Sequence, residues 1–265
     1  MLPTVSRSSV HKILCYDLNL NPYKLSIMQH LKENDIESRL HFAHWVKTNP
    51  ACVGLLWFSD EFSNESHFYL NSPINNKSCR HWGTEKPEYH LEKSLHSENV
   101  TVWAALSKDR IIVPFIFENQ DGHAERINSE CYLCFLKKKF VPALLRKGFS
   151  LDHTWFQQDG ATPHTLSAVL DWIKETYEDR VVSLKTQYTW TPHSTDLSLL
   201  DFYLWGFLKD RAYKPSPTTL KELNANIRRE IRGINNETCK AVIDNFKTRC
   251  DVVIAQKGRH IEHVQ

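Results

Sequence analysis

The sequence predicts an α/β protein in three layers, a mixed sheet flanked by helices, and three observations carry that prediction. Leu55-Leu56-Trp57-Phe58 is a short continuous apolar run, as a strand covered on both faces requires. Strand-like stretches then succeed one another from residue 67 to 117 as an antiparallel meander. Beyond residue 131, apolar residues recur at helical spacing on either side of one further short strand. Helices before and after strands must bury their apolar stripes on a sheet, which gives the layered architecture.

Taken in order, Ser9 to Leu14 has a short amphipathic helical pattern with Ser8 or Ser9 as N-cap, and Asn21-Pro22-Tyr23-Lys24 breaks it. Helical patterns follow at 25–31 and 36–46, the second with Ile36, Leu40, Ala43 and Val46 on one face. Strands are expected at 55–58, 67–70, 100–106 and 111–117, with an edge position or bulge at Pro114 and a turn at Asn119-Gln120-Asp121-Gly122. A helix is expected over 131–147 with a kink at Pro142, then a strand at 154–158 that carries Asp159 at its end. Leu166, Val169, Leu170, Ile173 and Tyr177 repeat as one helical face, and a short strand follows at 181–184. A Thr/Pro/Ser-rich loop over 189–198 leads into an apolar helix at 199–208 with Asp201 in its first turn. Thr219-x-x-Glu222 reads as a capping box opening a helix with Leu220, Leu223, Ile227 and Ile231 inward, and a last helix spans about 237–257.

Composition excludes several classes. With 41% hydrophobic and 24% charged residues over 265 positions, neither disorder nor a membrane protein is indicated. The longest apolar runs are too short to span a bilayer, and the N-terminus lacks the apolar core of a secretion signal. Seven scattered cysteines favour reduced thiols in a cytosolic or nuclear protein. Cys131-x-x-Cys134 has no second pair, and the 14 histidines form no HExxH-like pair, so no zinc site is expected. A net charge of +2 is modest for a nucleic-acid binder, but Lys137-Lys138-Lys139 and Arg228-Arg229 are local basic clusters, either DNA-facing or simply solvated.

Candidate chemistry centres on three carboxylates. Asp60 and Asp159 stand at strand ends and Asp201 at a helix start, where a layered sheet can bring acids to one rim. Two-metal phosphodiester chemistry needs hard oxygen ligands from separate segments holding ions about 4 Å apart. The rival reading is that Asp serves turns and helix caps at such positions. Glu61, next to Asp60, either holds a metal-bound water or is a strand-end surface acid.

The segments WFSDE, VTVWAAL, WFQQDGATPHT, DLSLLDFYLWGFLKDRAY, TLKELNANIRREI and GRHIEHV resemble, in order and spacing, transposases of the mariner type in the Tc/mariner superfamily. The likeness runs from about residue 5 to the C-terminus. It implies an RNase H-like catalytic domain in which Asp60, Asp159 and Asp201, rather than Asp196, bind two Mg²⁺, with Mn²⁺ able to substitute. Similar proteins act in the nucleus, bind the terminal inverted repeats of their own element, cut there, and join the freed 3′-OH to a TA target. A homodimer is implied, since two ends must be held together. Candidate DNA contacts are Lys12, His164, Trp190 and His193; for His164 the alternative is capping of the following helix, and for Trp190 it is core packing.

The departures from the family pattern matter as well. Thr191, Thr195 and Leu199 stand where prolines are usual, Val113 where a glycine is usual, and the expected paired helix-turn-helix region is reduced to residues 1–20. The expected domains are that remnant, a helical linker over 21–50, and the catalytic domain over 51–265. The alternative function is a catalytically silent transposase remnant that binds only DNA or a partner.

Overall fold

A computed structural model describes residues 7–17, 30–61, 68–70, 98–118 and 127–261. Six strands are found among these residues: β1 (Leu56–Glu61), β2 (Phe68–Tyr69), β3 (Asn99–Leu106), β4 (Ile111–Phe117), β5 (Trp155–Gln157) and β6 (Val181–Val182). β3 runs antiparallel to β1, β2 and β4, whereas β1, β5 and β6 run parallel in that order, so the sheet is mixed. The expected strand at 181–184 stops after two residues because Ser183 turns the chain: its N–H bonds the Thr186 hydroxyl at 3.1 Å and the Tyr188 carbonyl at 3.2 Å. The ladder irregularity between Trp103 and Ala105 falls opposite the part of β4 that contains Pro114, which has no N–H for the ladder.

Alternation along the strands separates two cores. Leu56, Phe58, Val100, Val102, Ala104 and Leu106 point to one face, where they meet helices α2 (Glu33–Thr48), α7 (Trp205–Arg211), α8 (Leu220–Arg232) and α9 (Asn236–Ala255). Trp57, Trp103, Ala105 and Ile112 point to the other, under a helix made of Ser129–Phe135, a π-helical stretch Leu136–Phe140 and Val141–Arg146, and under the Ser167–Tyr177 helix. The kink expected at Pro142 takes the form of that π-helical stretch just ahead of it, where a wider turn accommodates the missing N–H.

Other boundaries shift for local reasons. The helix expected at 36–46 extends over Glu33–Thr48, begun by the Asp35 carboxylate accepting the Lys32 N–H at 2.9 Å. It packs into the first core through Phe42, Ala43 and Val46, against Phe246, Cys250 and Val253 of α9. Thr219 caps α8 by accepting the Glu222 N–H, but Glu222 reaches back to the N–H of Thr218 at 2.7 Å, so the reciprocal bond of the expected box is displaced by one residue. Leu166, expected inward, is 48% exposed at the N-cap of the Ser167–Tyr177 helix. The expected helix at 25–31 falls outside the described residues except for His30 and Leu31, which are not helical, and the turn at 119–122 lies outside them altogether. Residues 7–17 form a helical segment with Lys12 exposed.

Candidate active site

β1 and β5 are neighbouring parallel strands in which Phe58 pairs with Gln157. Asp60 and Asp159 each lie two residues beyond that pair, so the backbone brings both to the carboxyl end of the sheet, where open α/β sheets bind their ligands. The Ser59 hydroxyl donates to the Gln157 carbonyl at 2.6 Å and ties the two strands at that level. Opposite Asp60 in the antiparallel ladder stands Ala104, a small residue.

Past β5 the chain turns sharply. Asp159 Oδ1 accepts the Ala161 N–H at 3.1 Å, closing a two-residue turn, and Gly160 occupies a spot where a Cβ would come within 2.8 Å of Leu184. His164, in the short 3₁₀ turn Thr162–Thr165, is fully buried, and its Nδ1 lies 2.5 Å from the same Asp159 oxygen. The N-cap of the following helix is Leu166, and the His164 side chain, expected as a phosphate contact or as that cap, is buried beside Asp159.

Asp201 sits in the first turn of a π-helical segment, Leu200–Leu204, that leads into α7. Together with Asp159 it lines a cleft of about 370 Å³ whose other walls include Trp190, Pro192, His193 and Ser198. Asp201 is pushed up from 3.8 to about 6, first by its removal from water and further by the Asp159 charge, against the opposing pull of the Ser198 hydrogen bond and of Lys209. By surface area the residue is nonetheless exposed, so the desolvation reflects the protein packed around the cleft rather than enclosure of the carboxylate itself. The shared cleft is the observation that brings the two acids together.

Asp196, the other acid of the loop, has a different partner. Its side chain is fully buried and held by the Arg39 guanidinium in a fork of 2.7 and 2.6 Å. Arg39 also donates to the Ser194 hydroxyl at 2.8 Å and to the carbonyls of Gly258 at 2.9 Å and Arg259 at 3.3 Å. Gly258 has φ +82, and a Cβ there would stand 2.4 Å from the Ile36 carbonyl oxygen, so α2 approaches this turn as closely as a glycine permits. Where prolines would have stiffened the loop, Thr191 is buried and hydrogen-bonded to Ser194, which continues to Arg39. Leu199 packs in the first core.

Trp190 is 4% exposed and meets Phe42 edge-on at 5.1 Å, so core packing accounts for most of its surface while one part faces the cleft. His193 has φ +53, and its Nδ1 is 3.0 Å from Asp35 Oδ2 of α2, with the side chain 44% exposed. Among the described residues no group of three or more His, Cys, Asp and Glu converges as a metal site; the acids seen together are Asp159 and Asp201.

Sequence reasoning missed Arg39, Gln158, Tyr132 and Ser183. Arg39 had a signal: it lies on the apolar stripe of its helix between Ile36 and Ala43, and a guanidinium buried there requires an acid. Gln158, a polar residue ending an apolar strand, also had one.

No family model and no curated protein matches the sequence. Solved structures do match. The Mos1 transposase paired-end complex with left transposon end superposes with a TM-score of 0.72 at 17% identity, over 97% of this chain and 72% of that one. The Mos1 mariner paired-end complex with Mn gives 0.73 at 16% over the same shares. The Mos1 transposase catalytic domain solved with Raltegravir and Mg gives 0.66 at 16%, over 88% of this chain and all of that one. The chain has the RNase H-like fold of the Mos1 mariner transposase.

Proposed function

We propose that this chain is the catalytic part of a mariner-type DNA transposase, which cuts a DNA strand at the ends of its element and joins the freed 3′-OH to target DNA. The observation that carries the reading is the cleft shared by Asp159 and Asp201 at the carboxyl end of the parallel strands, with Asp60 at the equivalent position of the adjacent strand. The donor set fits hard divalent cations. Carboxylate oxygens suit Mg²⁺ and Mn²⁺, and a cation would offset both the burial and the Asp159 repulsion that raise Asp201. Asp60, Asp159 and Asp201 would hold two such ions. When bound, these supply Lewis-acid polarisation of the phosphodiester and neutralise charge on the attacking and leaving oxygens.

The chain's own contribution is placement. The tie between Ser59 and Gln157 fixes the two strand ends relative to each other, and the Arg39 fork fixes the loop that leads to Asp201. In the first reaction water attacks phosphorus in line, and the strand's 3′ oxygen leaves as a hydroxyl. In the second that 3′-OH attacks a target phosphodiester and displaces another 3′ oxygen. Both are the same displacement, so one site serves both.

The matched Mos1 structures include a paired-end complex with left transposon end and a strand transfer complex. From them and from the sequence motifs we carry over, as part of the proposal, terminal inverted repeats and a TA target as DNA partners, a homodimer on DNA, and action in the nucleus. His193 and Trp190, at the cleft wall, and Lys12, on the exposed N-terminal helix, are the proposed DNA contacts.

The test is a nicking and strand-transfer assay on the element's end sequence with Mg²⁺ or Mn²⁺. Activity in the wild type that Asp159→Ala and Asp201→Ala each abolish, by at least about 100-fold, is expected. Activity unchanged by either substitution would refute the site. DNA binding without any cleavage would establish the silent remnant instead.

A further inference from the structure

We infer that His164 is a positioning residue for Asp159: a buried network holds its backbone and packs against its ring so that the Nδ1 proton holds the carboxylate in a fixed plane for cation binding. This rests on the metal-site reading above and deepens it. Asp159 accepts two hydrogen bonds at the same oxygen, from the Ala161 N–H and from His164. An ionised carboxylate only accepts, so the proton between the two side chains belongs to Nδ1, which sets the imidazole tautomer. Two donors on one oxygen restrict rotation of the carboxyl group, a freedom that would otherwise be lost each time a cation binds.

His164 is fixed in its turn by neutral groups, its backbone through hydrogen bonds and its ring by packing. Gln158, fully buried, donates through Nε2 to the His164 carbonyl at 2.8 Å and to the Ser183 hydroxyl at 3.0 Å. Its Oε1 accepts the Tyr132 hydroxyl at 3.1 Å. The Tyr132 ring lies against the imidazole, with centroids 4.1 Å apart. The His164 N–H closes its own turn on the Ala161 carbonyl at 2.9 Å. Backbone and ring of His164 are thus both held, by residues from the neighbouring helix, from the end of β5 and from the end of β6. Gln158, Ser183 and Tyr132 are uncharged, and among the described residues the network leads to the Asp159 side chain, which is 28% exposed at the cleft. A histidine buried only for packing needs no such outlet. Hydrogen-bond partners that orient a metal-binding carboxylate characteristically govern its affinity for the ion.

The experiment measures Mn²⁺ binding to the full chain, by electron paramagnetic resonance of the free ion and by calorimetry, with metal-free melting recorded for every variant. Wild type is expected to bind and Asp159→Asn to lose binding. His164→Ala is expected to weaken Mn²⁺ binding about 10- to 100-fold. His164→Asn, whose amide N–H replaces the Nδ1 donor, is expected to recover most of that loss, and Tyr132→Phe, which removes one hydroxyl and keeps the ring, to weaken binding only about threefold. If His164→Ala does not fold, Tyr132→Phe and His164→Asn decide. Wild-type affinity in a folded His164→Ala or Tyr132→Phe, with Asp159→Asn defective, overturns the role of His164 and leaves the metal site standing. So does a His164→Asn as weak as the alanine variant, because the loss would then follow volume and not the hydrogen bond. Absence of Mn²⁺ binding in the wild type, or binding unaffected by Asp159→Asn, overturns the metal site and this inference together.

Discussion

Asp201 holds its proton to about pH 6 because protein crowds it away from water and Asp159 adds repulsion. An unfolded aspartate gives up its proton near 3.8. Between those values the metal-free native state therefore binds more protons than the unfolded chain, and stability falls as pH rises through that window, then levels off. Because the residue reaches solvent, screening limits the loss to on the order of 1 kcal/mol. Asp201→Asn is expected to abolish this slope in urea denaturation between pH 4 and 7.5 without metal; an unchanged slope would place its origin elsewhere. Protons and cations compete for the same oxygens, so Mn²⁺ affinity should climb over the same range. At this scale the sequence singled out the acids themselves, Asp159 at the end of a strand and Asp201 at the start of an apolar helix. It was silent about what holds them, because Tyr132, Gln158, His164 and Ser183 meet only through folding, and the spacing of a motif carries no record of such contacts.

Helix α2 shows what periodicity reveals and what it omits. Its apolar stripe was legible, and so was its length within a few residues. The sequence reading made it part of a helical linker over 21–50; Phe42, Ala43 and Val46 lie in the main core and Arg39 grips the loop beside the cleft. Sequence pattern tells which face of a helix is buried, but not against what. Arg39→Met is expected to cost about 3–5 kcal/mol in urea denaturation, because Asp196 would remain buried without its counter-charge. Combining it with Asp196→Leu should restore a large part of that loss, and a double variant no better than the single one would show that packing, not charge, dominates. The π-helical stretch Leu136–Phe140 was legible only as a break at Pro142, since a proline announces that a hydrogen bond is missing without saying how the helix adjusts.

Across the whole molecule, the three layers followed from the order of strand-like and helix-like stretches, and the structure has them. The neighbour relation of β1 and β5 did not follow: nearly a hundred residues separate the strands, and apolar strands carry little information about their partners. The two faces of the sheet are unequal, the first being filled by four helices. Phe246 touches Phe58 at 4.9 Å and Phe42 at 6.3 Å. Phe246→Ala should therefore cost about 3–5 kcal/mol of unfolding free energy, with a smaller loss indicating that α9 can collapse into the space. The Arg39 fork has a temporal side too. Its partners come from the early, middle and last parts of the chain: Arg39 itself, Ser194 and Asp196, then Gly258 and Arg259. During synthesis, Asp60, Asp159 and Asp201 all leave the ribosome before the turn that completes the grip on their loop. The nascent chain thus carries the three proposed ligands before it carries the means to fix their loop, and the order of translation leaves the proposed site loose until residues 258 and 259 have been added.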